Sequence, residues 1–149
     1  MKHSLLICLV AIFLFTGCSK EKLICEKKKK NAGYDYTEKY EFEYNEEGNK
    51  LKKINLSIVA IYNEFYTDDE IEQQYTDVQK YCSVFDLADE KLITCNASRD
   101  GNIVNVGATI EVNKIDDESF EKMMYVTKEE ISNIKDTKKM LDNVGYSCK

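Results

Sequence analysis

Strict alternation of apolar and polar side chains is the feature that most constrains how this 149-residue chain can fold. In residues 34–44, tyrosine or phenylalanine occupies every second position, and only Glu38 interrupts the apolar series. Residues 51–62 and 103–113 repeat the alternation with mostly aliphatic side chains. Because a strand turns successive side chains to opposite faces, this pattern predicts strands with one buried face. We therefore expect a half-buried antiparallel sheet.

Turn and helix signals connect these strands. Gly48 and the pair Asp100-Gly101 lie in polar segments next to alternating runs, which predicts two hairpins. Residues 67–85 open with a Thr-x-x-Glu capping box and continue with apolar residues at helical spacing, so they predict a first helix. A second capping box opens residues 127–145, which predict a C-terminal helix that ends at a glycine. The expected fold is α+β, an antiparallel sheet of two hairpins with two helices packed on it, in the order β-β-α-β-β-α.

Four shorter segments carry weaker signals. Residues 91–98 place apolar side chains on one side and predict another sheet segment. Residues 23–25 could begin a first strand, and residues 146–149 could return as a short strand beside the sheet. Residues 120–126 are ambiguous between the regular structures.

The N-terminal segment has the layout of an export signal. Lys2 precedes an apolar run over residues 5–15, which is too short to span a bilayer because a spanning helix needs about 20 residues. The run ends in Thr16-Gly17-Cys18, which resembles the lipobox of bacterial lipoproteins. The alternative is an ordinary cleaved signal peptide that leaves Cys18 as a free thiol.

The lipobox resemblance implies a membrane anchor and divides the chain into three parts. Residues 1–17 would be removed as the signal peptide, and the Cys18 thiol would receive a diacylglyceryl group. Residues 18–22 would form a lipidated tether, and residues 23–149 would form a single α+β domain. Two acyl chains hold a protein stably on a bilayer where one does not. The expected location is the outer side of a bacterial cell membrane, with the N-terminal lipid as the contact.

Four cysteines remain in the predicted domain: Cys25, Cys82, Cys95 and Cys148. An even number in an exported domain favours two disulfides. We favour Cys25–Cys148, which would join the two ends of the domain, together with Cys82–Cys95, which would fasten the end of the first helix to the next strand. Reduced, buried cysteines are the alternative. No pair shows the C-x2-C spacing of a structural metal site, so no metal is expected.

The scarcity of histidine excludes several chemistries. His3 is the single histidine of the chain and lies in the predicted signal peptide. Without an imidazole, the domain lacks the general base of Ser-His-Asp and Cys-His mechanisms and the histidine ligand of many zinc and iron sites. The sequence contains no glycine-rich phosphate loop and no calcium loop, so we expect neither catalysis nor a cofactor. A net charge of −6 argues against a nucleic-acid partner, which requires a basic surface.

Two acidic clusters and one basic cluster have ordinary structural explanations. Asp68-Asp69 and Asp116-Asp117-Glu118 are the densest groups of carboxylates. Helix capping and a solvated loop explain them better than a catalytic pair does. Residues 27–30 are four consecutive lysines. A solvated tether or a lysine-protected sheet edge explains these lysines better than attraction to anionic headgroups does.

Aromatic residues supply the candidate ligand-binding surface. Tyrosine combines a broad contact area with a polar tip, which suits a binding groove. The candidates lie in the first predicted hairpin and the segment after it: Tyr34, Tyr36, Tyr40, Tyr62 and Tyr66. The alternative is that these rings fill the layer between the sheet and the helices.

Several of these features together resemble the YehR-like family of small bacterial lipoproteins. They are the lipobox, the tyrosine-rich hairpin of residues 36–62, the helix of residues 67–85 and the C-terminal stretch of residues 127–148. The resemblance covers most of the mature chain and supports the expected fold and location. It implies no catalytic residue, because the activity of that family is undefined. Some of its members lack cysteines in the mature domain, so the four cysteines would be local additions.

These observations lead to two functional hypotheses. The first is a lipid-anchored, non-enzymatic domain that binds a protein, a peptide or a small envelope ligand. The second is an accessory envelope protein with a structural or inhibitory role, which acts through an exposed sheet edge. An enzyme built on paired carboxylates is the least favoured. A cleft between sheet and helix, lined with exposed tyrosines, would favour ligand binding.

Overall fold

The alternating segments form one six-stranded antiparallel sheet. The computed structural model describes residues 20–86 and 92–149. Its strands are β1 (Lys22–Lys30), β2 (Tyr34–Tyr44), β3 (Leu51–Tyr62), β4 (Ile93–Asp100), β5 (Ile103–Glu111) and β6 (Ser147–Cys148). Its helices are α1 (Asp68–Asp86), α2 (Asp117–Met124) and α3 (Ile134–Asn143), with a short 3-10 turn at Val112–Lys114. The α+β class predicted from the sequence is confirmed.

The strands lie in the spatial order β4-β5-β3-β2-β1-β6. Consecutive hairpins join β1, β2 and β3, and a separate hairpin joins β4 and β5. The two parts meet where β5 runs antiparallel to β3, with Leu56 opposite Ala108. α1 connects β3 to β4, so β4 becomes the outer strand on this side of the sheet.

Apolar side chains share one face of the sheet, which we call the inner face. The register aligns Phe42, Ile54 and Ile110 across three neighbouring strands, and all three are buried. Phe120 of α2 and Leu141 of α3 belong to the same core. The helices therefore cover the apolar face, which is the usual arrangement for an antiparallel sheet with one solvated side.

The first predicted helix forms with its predicted cap. Glu70 Oε2 accepts a hydrogen bond from the backbone N–H of Thr67 at 2.8 Å, and Thr67 Oγ1 accepts one from the N–H of Glu70 at 3.3 Å. The bond from the Thr67 backbone is the main cause that lowers the pKa of the Glu70 carboxyl. Ile71 follows in the first turn and is buried against Tyr62 and Val104 of the sheet. The N-terminal end of α1 is thus fixed by both the cap and the core.

The prediction of two helices is wrong, because the described residues contain a third. α2 includes most of the segment that the sequence left ambiguous. The Asp116 side chain accepts a hydrogen bond from the backbone N–H of Ser119 at 2.9 Å, and Phe120 is fully buried. A capped first turn and one buried aromatic ring are sufficient here to hold a helix shorter than the average. The acidic segment expected to be a loop is therefore the start of this helix.

The C-terminal helix begins later than predicted. The second capping box does form, since Glu130 Oε2 accepts from the N–H of Thr127 at 2.7 Å, but only a turn follows it. α3 starts at Ile134, where Asn133 Oδ1 accepts from the N–H of Asp136 at 2.9 Å. Asparagine side chains cap well and compete with interior helical bonds, so Asn133 restarts the chain as a separate helix.

The sheet is wider than the two predicted hairpins. β6 pairs with β1 at Cys25 opposite Cys148 and at Glu26 opposite Ser147. The backbones of Ile24 and Lys149 also exchange two hydrogen bonds, of 2.9 and 3.0 Å. Both of the weakly indicated strands, at residues 23–25 and 146–149, are therefore present.

The N-terminal predictions lie largely outside the described residues. Residues 1–17 and Cys18 precede Lys20, the first residue that the structure describes. β1 begins at Lys22, and the backbone N–H of Tyr44 donates to Glu21 O at 2.9 Å. The ordered sheet thus reaches into the segment predicted as a tether. Across residues 20–86 and 92–149, no helix has both the length and the apolar character needed to cross a membrane.

Candidate functional site

Both disulfides have the pairing that the sequence favours. Cys25 and Cys148 are bonded across β1 and β6, with an S–S distance of 2.04 Å. Cys82 of α1 is bonded to Cys95 of β4 at 2.02 Å. The partners of the first bridge are 123 positions apart in the sequence, and those of the second are 13 apart. The second bridge fastens the C-terminal half of α1 to the sheet, where this helix forms one wall of a cleft.

The cleft lies on the inner face between α1 and the end of α2 and has a volume of about 580 Å³. Its floor consists of apolar side chains from the sheet and one tyrosine: Tyr40, Leu56, Ile58, Ile93, Cys95, Val106, Ala108 and Ile110. One wall comes from α1: Gln74, Asp77, Val78 and Tyr81. The other wall comes from the end of α2: Met123, Met124 and Tyr125. Its volume is within the range that small-molecule sites usually have.

The cleft exists because the helices do not meet over the middle strands. α1 packs mainly on β4, near one edge of the sheet, and α3 packs on β1 and β6 near the other. Leu56, Ile58 and Val106 lie between these helices and remain partly exposed. Covering apolar surface yields about 25 cal/mol per Å², so contact between an apolar ligand and this floor is favourable.

Two exposed aromatic rings flank the cleft. Tyr81 of α1 is 65% exposed, and Tyr125 after α2 is 90% exposed. Tyr125 ends its helix in the left-handed conformation, with φ of 57°. A residue other than glycine incurs a steric cost of about 1–2 kcal/mol there, and an exposed ring gains no burial in return. Met123 and Met124, which precede it, have flexible side chains that adapt to the shape of a ligand.

The five tyrosines proposed from the sequence are not all at the cleft. Tyr34, Tyr62 and Tyr66 pack against one another at the far end of the inner face, with ring centroids 4.9 to 6.4 Å apart. These three belong to a small apolar cluster, so the packing alternative fits them. Tyr40 lines the cleft, and Tyr36 lies further along the same face of β2.

A carboxylate that was not predicted as a site residue lies beside Tyr40. Glu38 is on the inner face of β2, opposite Ile58 of the cleft floor. Its carboxylate lies close enough to the hydroxyls of Tyr36, Tyr40 and Tyr146 to affect their ionisation. Burial is the main cause that raises the pKa of all three tyrosines, and the charge of Glu38 raises it further. The pKa of Tyr36 rises to about 12. The break in the aromatic series was its sequence signal, because a carboxylate on an inward face needs polar partners.

The charge that lines the described part of the cleft is negative. Asp77 is the one charged side chain among the described residues that line it, and Glu38 lies next to the floor. Lys80 Nζ is 3.6 Å from Asp77, but both side chains are mostly exposed and such pairs are weak. Lys27, opposite Glu38 on β1, donates from Nζ to Val144 O at 2.5 Å. The cleft therefore presents a surface suited to a ligand that carries no negative charge.

The acidic clusters noted in the sequence serve local structure. Asp68 forms an ion pair with Arg99 of β4, and Asp117 Oδ1 lies 3.0 Å from Lys128 Nζ. The cap at Asp116 lowers the pKa of that carboxyl, mainly through the backbone N–H of Ser119. A catalytic general acid at neutral pH needs a raised pKa instead. Among the residues that the structure describes, no group of three or more His, Cys, Asp and Glu side chains is placed to hold a metal ion.

The four consecutive lysines lie on the edge of the sheet. In the described part of the chain, β6 pairs only with Cys25 and Glu26, so residues 27–30 form an open edge of β1. Lysine side chains on an open edge discourage pairing with a strand of another molecule. Lys28 Nζ is 2.8 Å from Glu26 Oε1. The protected-edge explanation therefore fits this segment better than the solvated tether.

The fold is similar to that of a known bacterial structure. The NMR structure of the E. coli YehR protein has a TM-score of 0.53 to this chain at 9% sequence identity, covering 87% of this chain and 92% of that one. At this identity, the similarity shows a common fold alone. It supports the resemblance noted in the sequence at the level of the fold. The sequence matches no protein-family model and no curated protein.

Proposed function

We propose that this protein is a lipid-anchored, extracytoplasmic binding protein of a bacterial envelope and that the cleft is its ligand-binding site. The observation that carries the proposal is the apolar cleft of about 580 Å³ between α1 and α2, flanked by two exposed tyrosines. An apolar pocket with a few polar groups is the usual form of a small-molecule site. Such a role is non-enzymatic and requires no cofactor.

The alternative role, an accessory protein that acts through a sheet edge, has weaker support. The open edge of β1 carries four lysines, which oppose the addition of a strand. At the other edge, the disulfide between Cys82 and Cys95 and the ion pair between Asp68 and Arg99 fasten β4 to α1.

Binding of a neutral apolar dye tests the ligand-binding site. N-phenylnaphthylamine fluoresces strongly in apolar surroundings, so its emission should rise saturably when the mature protein is added. Ile58→Gln places a polar amide in the cleft floor, which costs about 1–2 kcal/mol and should weaken binding roughly tenfold. Equal dye affinities for the parent and the Ile58→Gln variant would contradict the proposal.

The matched control uses the next residue of the same strand. Val59 lies on the outer face of β3, opposite Thr37 and Asn105. Val59→Gln introduces the same amide one position away but on the other side of the sheet. We expect it to leave the dye affinity unchanged, and thermal unfolding of both variants establishes that each is folded.

Incorporation of labelled palmitate in growing bacteria tests the anchor. We expect label in the parent protein and none in Cys18→Ser, because the serine oxygen does not replace the thiol as lipid acceptor. Cys8→Ser is the matched control, since Cys8 lies in the predicted signal peptide, and it should retain the label. Label on the Cys18→Ser variant would show that the anchor has been assigned wrongly.

A further inference from the structure

We propose that the cleft selects ligands with an apolar body and a positively charged ammonium group, which Asp77 and Glu38 attract, an inference that rests on the binding function proposed above. The apolar body follows from the floor, where Leu56, Ile58 and Val106 leave partly exposed aliphatic surface. The charge follows from the groups around that floor.

The two carboxylates belong to different elements: Asp77 lines the cleft, and Glu38 lies beside its floor. Asp77 belongs to the wall that α1 forms, and its Oδ1 accepts from Gln73 Nε2 at 3.0 Å. Glu38 lies beside the floor on β2, among the hydroxyls of three tyrosines. An ammonium group in the cleft would thus lie near Asp77 on one wall, with Glu38 beside the floor.

The aromatic rings favour the same ligand. Tyr40 lines the floor, and Tyr81 and Tyr125 flank the opening. The face of an aromatic ring attracts a cation by about 0.5–2 kcal/mol, and clusters of such rings are a known way to bind alkylammonium groups. The aromatic rings and the carboxylates therefore both favour a cationic ligand.

The lysines near the cleft, Lys27, Lys80 and Lys122, are not among the described residues that line it. Lys27 Nζ is bound to Val144 O and lies 5.1 Å from the centre of the Tyr146 ring. Lys122 of α2 is paired with Glu118 at 2.5 Å. Lys80 lies on α1 beside Asp77 in an exposed pair. An anionic ligand would consequently meet the carboxylate of Asp77, and no cation, in the described lining.

Competition between three amphiphiles with the same tail tests the inference. Dodecylammonium, dodecanol and dodecanoate, each below its micelle concentration, should displace bound N-phenylnaphthylamine from the parent protein in that order of affinity. We expect dodecylammonium to bind at least about tenfold more tightly than dodecanoate. The difference should shrink as salt is added, because exposed charges are screened.

Two isosteric variants assign the preference to the carboxylates. Glu38→Gln and Asp77→Asn should each reduce the ratio of ammonium to alcohol affinity about threefold or more. Glu41→Gln and Asp69→Asn make the same change of net charge on the outer face of β2 and in the first turn of α1. These two controls should keep the preference of the parent.

The outcomes separate the two proposals. If the dye does not bind to the parent, the proposed binding function is wrong, and the proposed ligand class is rejected together with it. If the dye binds but the three amphiphiles compete equally, the cleft is a binding site without selection for charge, and the inference is overturned. If Asp77→Asn and Glu38→Gln both retain the full ammonium preference, the assignment to these carboxylates is overturned.

Discussion

At the scale of single residues, Tyr44 connects the sheet to α3 through one buried hydroxyl. Its side chain is fully buried, and its hydroxyl donates to Thr137 Oγ1 at 2.7 Å. Thr137 is also fully buried and donates in turn to Asn133 O at 2.8 Å. These bonds satisfy polar groups that would otherwise be costly to bury. The hydroxyl is therefore part of the core rather than of the binding site.

Tyr44→Phe should lower the free energy of unfolding by about 1–2 kcal/mol, because Thr137 loses a buried hydrogen-bond partner. Urea denaturation of the two proteins measures the change. Tyr125→Phe removes a hydroxyl from a ring that is 90% exposed and should not change stability measurably. A loss of the same size in both variants would mean that the buried bond is not the cause.

Buried tyrosines should also make the protein labile to alkali. Burial raises the pKa of Tyr44 to about 12, and burial together with Glu38 raises that of Tyr36 to about 12, against an ordinary value of 10. Because the folded pKa lies above the unfolded one, the stabilisation is complete below about pH 10 and is lost as the pH rises through 12. Ultraviolet absorbance should show these phenols ionising together with unfolding. Ionisation of all ten tyrosines near pH 10 in a folded protein would contradict this expectation.

At the scale of elements, Gly48 and Gly101 allow two turns that a side chain would strain. Both adopt the left-handed conformation, with φ of 65° and 57°. A Cβ at Gly48 would lie 2.6 Å from Glu21 Oε2 and 3.2 Å from Ile134 Cδ1, whereas one at Gly101 would meet nothing within 4 Å. The turn at Gly48 therefore also positions the start of α3, whereas the turn at Gly101 only reverses the chain.

Gly101→Ala should cost about 1 kcal/mol, from the strain of a left-handed alanine alone. Gly48→Ala should cost roughly twice as much, because the neighbouring side chains of Glu21 and Ile134 must also move. Chemical denaturation of the two variants gives the comparison. Equal losses would indicate that the contact with α3 contributes nothing at this turn.

The sequence predicts the strands better than the helices. Alternation indicates strands directly, as in residues 34–44, because the polarity of each side chain shows whether it lies on the buried or the exposed face. The second capping box predicted the start of the C-terminal helix wrongly. Thr127 and Glu130 make the predicted bonds, but they do so around a turn that does not continue as a helix. The cleft could not be predicted, because it depends on how far apart α1 and α2 settle on the sheet. For the same reason Tyr40 could not be separated from Tyr34, although both belong to one alternating series.

At the scale of the whole molecule, two disulfides constrain very different lengths of chain. The Cys25–Cys148 bond closes a loop that contains almost the entire described sequence. The Cys82–Cys95 bond closes a short loop between the C-terminal part of α1 and β4. β6 itself contributes only two paired positions. The Cys25–Cys148 disulfide therefore adds to the few backbone bonds that hold the C-terminal strand in the sheet.

Replacing both cysteines of each bridge by alanine should destabilise the protein unequally. By loop entropy we expect a loss of about 4–5 kcal/mol for Cys25→Ala with Cys148→Ala, and about 3 kcal/mol for Cys82→Ala with Cys95→Ala. Urea denaturation measures the two losses, and hydrogen exchange should localise the second to the C-terminal half of α1. A larger loss for the shorter loop would show that loop entropy does not dominate.

The backbone bonds between Ile24 and Lys149 place Lys149 beside the start of β1. A reporter fused after Lys149 would consequently emerge next to that strand. The same proximity suits circular permutation of the described domain, because a short linker from Lys149 reaches the start of β1, with new ends opened at the Asp100-Gly101 turn.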